Sequence, residues 1–266
     1  MHQILSGFYN TPPLWKNTQF GLKQFAFPKL NIDHKTQIDL PGNLRLGHQM
    51  EYVFKHLISI SKNHDVILSN ILVEEGKTRV GELDFILKEF KNGQFIHVEL
   101  AYKFYIINPD ISEPIYRLMG PNKRDMFYTK LDKLKEKQFP LLHHSSLFPQ
   151  WEANDINVLG ITQQCCFKVQ LFEPFEEQTS IRPLNTDCIV GKWIPFEDFN
   201  SQRFSGNDYY IPRKLEWVIT PHLNVSWMTH FETLMEVNLR MVKENAPMLW
   251  VKNPDGTIEK LFVVWW

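Results

Sequence analysis

The sequence predicts a mixed α/β fold: a helix, a strand, a two-stranded hairpin and a second helix, continued by a strand-rich second half. Three observations predict it. The stretch "PGNLRLGHQMEYVFKHLISISKN" carries apolar residues at helical spacing. The stretch "GELDFILKEFKNGQFIHVELAYKFY" alternates with period two on both sides of Asn92-Gly93. Beyond residue 155, apolar runs recur between polar loops, interrupted by one more amphipathic segment.

Residues 1–39 read as an N-terminal extension. The opening "MHQILSGFYNTPPLW" lacks a basic segment followed by an apolar run, so no signal peptide is expected. In the first helix Asn43 is the expected N-cap, following Pro41-Gly42. Leu46, Met50, Val53, Leu57 and Ile60 form its stripe. Gly47 and Glu51 sit at the stripe's edge. A glycine inside a helix costs up to ~1 kcal/mol relative to alanine, which suggests the close approach of another backbone at Gly47. Glu51 then looks along the sheet, or is an ordinary surface glutamate. "DVILSNILVEE" predicts a strand over 65–73.

Asn92-Gly93 is a strong hairpin signal, because both central residues of a type I′ turn need positive φ. A two-residue loop pairs Lys91 with Gln94. Leu83, Phe85 and Leu87 then face Tyr102, Leu100 and Val98 on one apolar face, with Tyr102 and Phe104 as core. On the other face Glu82 lies opposite Lys103, Asp84 opposite Ala101, and Ile86 opposite Glu99. Asp84 has Glu99 and Lys103 as diagonal neighbours, roughly 7–8 Å away. Two like charges about 4 Å apart repel by ~4 kcal/mol at an effective dielectric near 20. A divalent ion relieves that repulsion, since hard cations take carboxylate oxygens. The plainer alternative is a solvated face with a Glu82–Lys103 pair contributing ~0.2–1 kcal/mol.

A second helix is expected from near Asn122 to Pro140, with Met126, Phe127, Leu131 and Leu134 on its apolar side. Its polar side carries Lys123, Arg124, Lys130 and Lys133, a solvated face or one that meets a phosphate backbone. In the second half, "DINVLGITQQCCFKVQLF" (155–172), "CIVGKWIPFEDF" and "YYIPRKLEWVITP" predict strands, and 226–244 a helix with Met228, Phe231, Met235 and Val242 on one side. "NPDG" joins two final strands. The closing "LFVVWW" must be tied into a sheet or covered by a protein partner or a second copy.

Composition narrows the classes. The chain is 43% hydrophobic with 20 Phe and 8 Trp, which excludes disorder. A net charge of −1 excludes an overall polybasic binder. Cys165, Cys166 and Cys188 have neither metal-ligand spacing nor a disulfide framework, and fit a reducing cytosol. No run of 18 apolar residues occurs, so no membrane span is expected and a cytoplasmic location is. No phosphate-cradling glycine loop or G-x-S-x-G elbow is present.

The order of a helix with G-x-x-x-E, a strand, a strand with Asp, a hairpin, a strand with Glu and Lys, and a basic helix resembles the PD-(D/E)XK phosphodiesterase superfamily. More narrowly, "GELDFIL", "HVELAYKFY", "GPNKRD" and "EKLFVV" resemble an uncharacterised bacterial family, domain of unknown function 1853, from Leu44 to the C-terminus. The resemblance implies an α/β (α+β) fold with a restriction-endonuclease-like αβββα core and a mixed central sheet over 40–140. An α+β extension over 155–266 follows. It implies Asp84 and Glu99 as ligands of Mg²⁺ or Mn²⁺, Glu51 completing the site, and Lys103 as catalytic lysine. Glu82 is an extra ligand or Lys103's partner. The implied function is a metal-dependent nuclease acting on nucleic acid, DNA favoured; the alternative is an inactive binding module on the same fold. Two departures stand out. The superfamily's lysine position, two after the acid, is Ala101, and Leu83 rather than proline precedes Asp84. Relatives in the superfamily tolerate migrated lysines.

Overall fold

Alternating apolar residues after the first helix fold as three long consecutive strands, and these organise the first part of the chain. The computed structural model describes residues 2–32 and 36–266. In chain order the elements are α1 (His2–Asn10), β1 (Thr18–Gln19), β2 (Leu22–Lys23), α2 (Leu46–Ser61), β3 (His64–Glu75), β4 (Thr78–Glu89), β5 (Phe95–Ile107) and β6 (Leu118–Met119). Then follow α3 (Phe127–Lys133), α4 (Phe148–Ala153), β7 (Thr162–Pro174), β8 (Ile189–Pro195), α5 (Phe196–Phe199), β9 (Asp208–Tyr210), α6 (His230–Met241), β10 (Met248–Lys252) and β11 (Ile258–Val264). The main sheet has the order β3-β4-β5-β7-β8-β11-β10-β9, with β6 paired to β5. It is antiparallel over β3-β4-β5 and β11-β10-β9 but parallel at β7-β8-β11, so the fold is mixed α/β with a large mixed sheet.

Two compact units divide the chain, and their segments interleave. The first holds residues 13–102 and 129–168 with the start of α1; the second holds 6–12, 103–128 and 169–266.

In the first unit, α2 begins after Arg45, which makes no side-chain cap, and ends at Lys62 with φ 55. Asn43 is not the N-cap, because Gly42-Asn43 form a turn ahead of the helix. The buried face is Met50, Val53, Phe54, Leu57 and Ile58, rotated from the expected stripe towards Phe54 and Ile58. Phe54 packs on Phe85 of β4 with ring centroids 4.6 Å apart. Gly47 is exposed and a methyl group there meets nothing, so no backbone approaches it. Ile71, Val73, Leu83 and Ile86 pack with Leu142, Leu147, Trp151 and Ile156.

The hairpin corrects the expected register. Phe85 pairs with Val98, Ile86 with His97, Leu87 with Ile96 and Lys88 with Phe95. Glu89 N–H donates to Gln94 O at 2.9 Å and Gly93 N–H to Glu89 O at 2.9 Å, closing a four-residue loop over 90–93. Asn92 spends its side chain on Gln94 N–H at 2.9 Å, and only Gly93 takes positive φ (71°), so no type I′ turn forms. A shift of two residues keeps each side chain on its face but changes its partner. Asp84 comes level with Glu99.

The second helix also starts later than expected. Gly120 N–H donates to Asp125 O at 2.6 Å and Lys123 N–H to Gly120 O at 2.8 Å, holding 120–125 as a turn. A π-helical turn over Leu134–Gln138 and a 3₁₀ turn over Phe139–His143 follow α3.

In the second unit, β11 lies between β8 and β10. Phe262, Val263 and Val264 are fully buried there. The apolar C-terminal run is tied into a sheet as far as Val264, and Trp265 and Trp266 beyond it are half-buried. Expected strands shorten where turns intervene: β7 begins at Thr162 after a 3₁₀ turn at Val158–Gly160. β9 has three residues because Pro212 lacks an N–H and Glu216 caps the next turn, its carboxylate accepting Arg213 N–H at 2.7 Å. Among the described residues no helix is long and apolar enough to cross a membrane, and all three cysteines are buried and free.

The β8–β11 contact is close enough to test. A methyl at Gly191 would lie 2.4 Å from Lys260 O and 2.8 Å from the Phe172 ring. Gly191→Ala is expected to cost about 1–3 kcal/mol, read as a lower denaturation midpoint at unchanged m-value. An unchanged midpoint would show that the two strands separate freely.

Candidate functional site

β4 pairs with β5 only as far as Phe85↔Val98, although β4 continues against β3 as far as Thr78. Where the β4–β5 ladder stops, carboxylates take over. Asp84 Oδ2 accepts Leu100 N–H at 2.8 Å, and Asp84 N–H points at Glu99 Oε1 from 3.4 Å. Each acid thus answers an N–H of the opposite strand. Buried backbone donors need partners, which gives these side chains a structural as well as a chemical role.

Glu99 is fully buried and takes neutral donors on both oxygens. His97 Nε2 lies 2.9 Å from Glu99 Oε1, and Gln138 Nε2 donates to Oε2. The Gln163 amide donates to Phe139 O at 2.7 Å and lies 3.1 Å from His97 Nδ1. An amide nitrogen only donates, so His97 Nδ1 accepts and Nε2 carries the proton to Glu99. Burial pushes the His97 pKa down to about 3, so the imidazole is neutral. Lys130 Nζ donates to Gln138 Oε1 at 2.7 Å and so reaches Glu99 through the amide.

The two acids strain against each other. Burial raises the Asp84 pKa well above the carboxylate range, and the charges of Glu99 and Glu51 raise it further; the Leu100 bond and Lys130 oppose this. Burial also raises Glu99, to about 7, with Glu82 adding and Lys130, the Asp84 N–H and Lys133 opposing. Glu51, Glu82, Asp84 and Glu99 therefore lie within one electrostatic neighbourhood, with Lys130 and Lys133 as its cations.

Asn70 ties the outer acids together. It donates to Glu51 Oε2 at 2.7 Å and to Glu82 Oε1 at 3.1 Å. Its φ is 52°, between the pairs Ser69↔Phe85 and Ile71↔Leu83, so it stands beside Asp84 in register. Asparagine tolerates that left-handed conformation better than most residues. His48 Nδ1 lies 3.3 Å from Glu51 Oε2, and Arg79 is bonded to Glu82.

Lys103 has a different partner from the one expected. Its Nζ donates to Asp125 Oδ2 at 2.5 Å, and Tyr105 OH lies 3.4 Å from Asp125 Oδ1. The register shift sets Ala101 rather than Lys103 level with Glu82, whose charge Arg79 meets instead. Of the basic residues, Lys130 and Lys133 act on Glu99 within the first unit. In the second, Lys123 lies over the Trp266 ring at 3.9 Å and Arg124 is 3.8 Å from Glu244. His97, Asn70, Gln138 and Gln163 were not anticipated. Only His97 had a signal: in "HVEL" it precedes Glu99 by two and shares its face.

Among the described residues no group of three or more His, Cys, Asp or Glu side chains is arranged to hold a metal ion. The acid pair nevertheless suits a hard cation. Its donors are carboxylate oxygens, and Asp84 Oδ1 meets no donor among the described residues. Mg²⁺ is usually held by one or two carboxylates with water and substrate phosphate completing its shell.

The motifs quoted from the sequence span the chain, and so does a family model, described as Domain of unknown function (DUF1853), that matches residues 22–264. The chain belongs to this family. The DUF1853 match begins ahead of Leu44, the start expected from the motifs, and takes in β2. Comparison with curated proteins and with solved structures finds no match.

Both acids have folded-state pKa values above their unfolded ones. The contribution of Glu99 to stability is complete at acid pH and is lost as pH rises from about 4.5 to about 7, where Glu99 titrates in the fold; that of Asp84 is likewise lost as pH rises through its own raised value. Asp84→Asn keeps an acceptor for Leu100 N–H and removes one charge. Wild type should lose stability over that interval by urea titration, and the variant distinctly less. Parallel pH profiles would mean that the two acids do not interact.

Proposed function

We propose that this protein is a divalent-metal-dependent phosphodiesterase of the PD-(D/E)XK type, acting on nucleic acid, with DNA as the first substrate to test. The observation that carries the proposal is the Asp84–Glu99 pair at the end of the β4–β5 ladder, with Lys130 as its cation. The order α2-β3-β4-β5-α3 supports an αβββα core, and the superfamily's tolerance for a migrated lysine supports Lys130 in the role first expected of Lys103.

The chain's own groups divide the work. Asp84 offers Oδ1 outward while Oδ2 is pinned by Leu100 N–H. Glu99 is held rigid by His97 and Gln138, so its carboxylate is positioned at no cost on substrate arrival. Glu51 is within electrostatic reach of Asp84. Lys130 supplies positive charge that favours the ionised acids and would meet charge developing on a phosphate. Asp84 and Glu99 would hold Mg²⁺ or Mn²⁺, which supplies polarisation of a phosphoryl oxygen and acidification of water.

A second reading has its own support. Both oxygens of Glu99 already accept protein donors, as in a purely structural polar network, which favours an inactive binding module on the same fold.

Thermal unfolding with and without millimolar Mn²⁺ separates the two. Saturation at one hundred times the dissociation constant stabilises by ~2.7 kcal/mol, roughly 5 °C or more at this size. Wild type should shift and Asp84→Asn should not. With Mn²⁺ and DNA, Lys130→Met should lower cleavage by roughly 10²-fold or more, whereas Lys103→Met should stay within a few-fold. Absence of both a shift and cleavage, with or without nucleic acid present, would favour the binding module.

A further inference from the structure

Helix α6 is apolar on two opposite faces, and only one of them is used. Inward, Val237 and Thr233 are fully buried, and His230 Nε2 is bonded to Phe199 O at 2.9 Å. Leu234 and Met241 flank that face, partly buried against the core around Tyr209 and Leu249. Outward, Phe231, Met235, Leu239 and Val242 are exposed by 72, 59, 61 and 80%.

At 100° per residue these four fall within a sector of about 80°, and they run roughly 16 Å along the helix. Scattered exposed hydrophobics are ordinary; a continuous stripe marks an interaction surface. The segment is not a frayed end that solvent merely samples. A complete capping box starts the helix: Thr229 Oγ1 accepts Glu232 N–H at 3.3 Å and Glu232 Oε2 accepts Thr229 N–H at 2.8 Å.

Charge along one flank of the stripe identifies the occupant. Glu232, Glu236 and Lys243 fall on the same side by helical phase, acids towards the N-terminal end and the base beyond the C-terminal end. In an antiparallel pair of identical helices, like flanks meet with their ends exchanged. Phe231 then lies on the second copy's Val242, and Met235 on its Leu239. Glu232 meets the second copy's Lys243, and the two-fold axis repeats that pair; Glu236, next to the axis, faces its own mate, one like-charge contact against two opposite-charge pairs. In a parallel pair opposite flanks meet at equal heights, so Glu232 and Lys243, about 16 Å apart along the helix, could not pair.

We propose that α6 is the self-association face of this protein: two copies pair antiparallel through Phe231, Met235, Leu239 and Val242, with Glu232 of each against Lys243 of the other. The closure is isologous, so it ends at a dimer rather than a filament.

Sedimentation velocity on the full chain, from low to high micromolar concentration, tests this. Wild type should pass from monomer to dimer. Met235→Glu and Leu239→Glu, both at exposed positions, should stay monomeric with unchanged circular dichroism. Lys243→Glu should weaken association by roughly tenfold, since it sets acid against acid twice. Mixing Lys243→Glu with Glu232→Lys should restore a dimer that neither forms well alone, with helicity checked because Glu232 also closes the capping box. A monomeric wild type throughout the range would overturn the proposal, as would a dimer that survives Met235→Glu. A mixture no tighter than its components would overturn the antiparallel pairing.

Discussion

The first unit is arranged around a gap in a hydrogen-bonded ladder. β4 and β5 pair through Phe85 and Val98, and one step later the backbone donors of Asp84 and Leu100 look to the carboxylates of Glu99 and Asp84. Unmet N–H groups at a sheet centre are costly, so the acids are required by the backbone before any chemistry is considered. Placing them there confines two like charges in a poorly solvated space. The neighbouring side chains respond to that confinement: His97 as a neutral donor, Gln138 as an amide bridge, and Lys130 behind it.

Around Glu99 the chain uses neutral donors and keeps the lysine one bond removed. A neutral imidazole and an amide satisfy oxygen lone pairs without cancelling the charge. A direct ion pair would have cancelled it and held Glu99 permanently ionised. The acid pair instead remains open to protonation, and Asp84 Oδ1 meets no donor among the described residues. Asn70 joins two acids, Glu51 and Glu82, through one amide, as Gln138 joins Glu99 to Lys130.

Much of the fold was legible because alternation and helical spacing are strong signals. α2, the three strands and α6 all appear, and period two correctly put Asp84 and Glu99 on one face. The loop length was not legible. Asn92-Gly93 looked like a two-residue turn, but Asn92 bonds Gln94 N–H and the loop takes four residues, which moved every cross-strand partner by two. The Lys103–Glu82 pair was lost with that register. Long-range partners left no local trace: Gln138 and Gln163 come from distant segments, and polar amides in sequence look like solvated surface. Gly47 was over-read, because a helix interior glycine can simply face solvent.

The turn that delivers Gln138 has a consequence for what the junction can tolerate. Leu134–Gln138 is wound as a π-helix, whose wider turn spreads the arc over more residues than α-helical winding does. Roughly four residues of α-helix, at about 100° each, cover about the arc that this π-helical turn covers. The direction in which Gln138 faces is thus the same under either winding, and the bridge from Lys130 to Glu99 depends on that direction rather than on the residue count before it. Loss of one residue between Lys130 and Gln138 would turn the π segment into plain α-helix and leave the bridge standing.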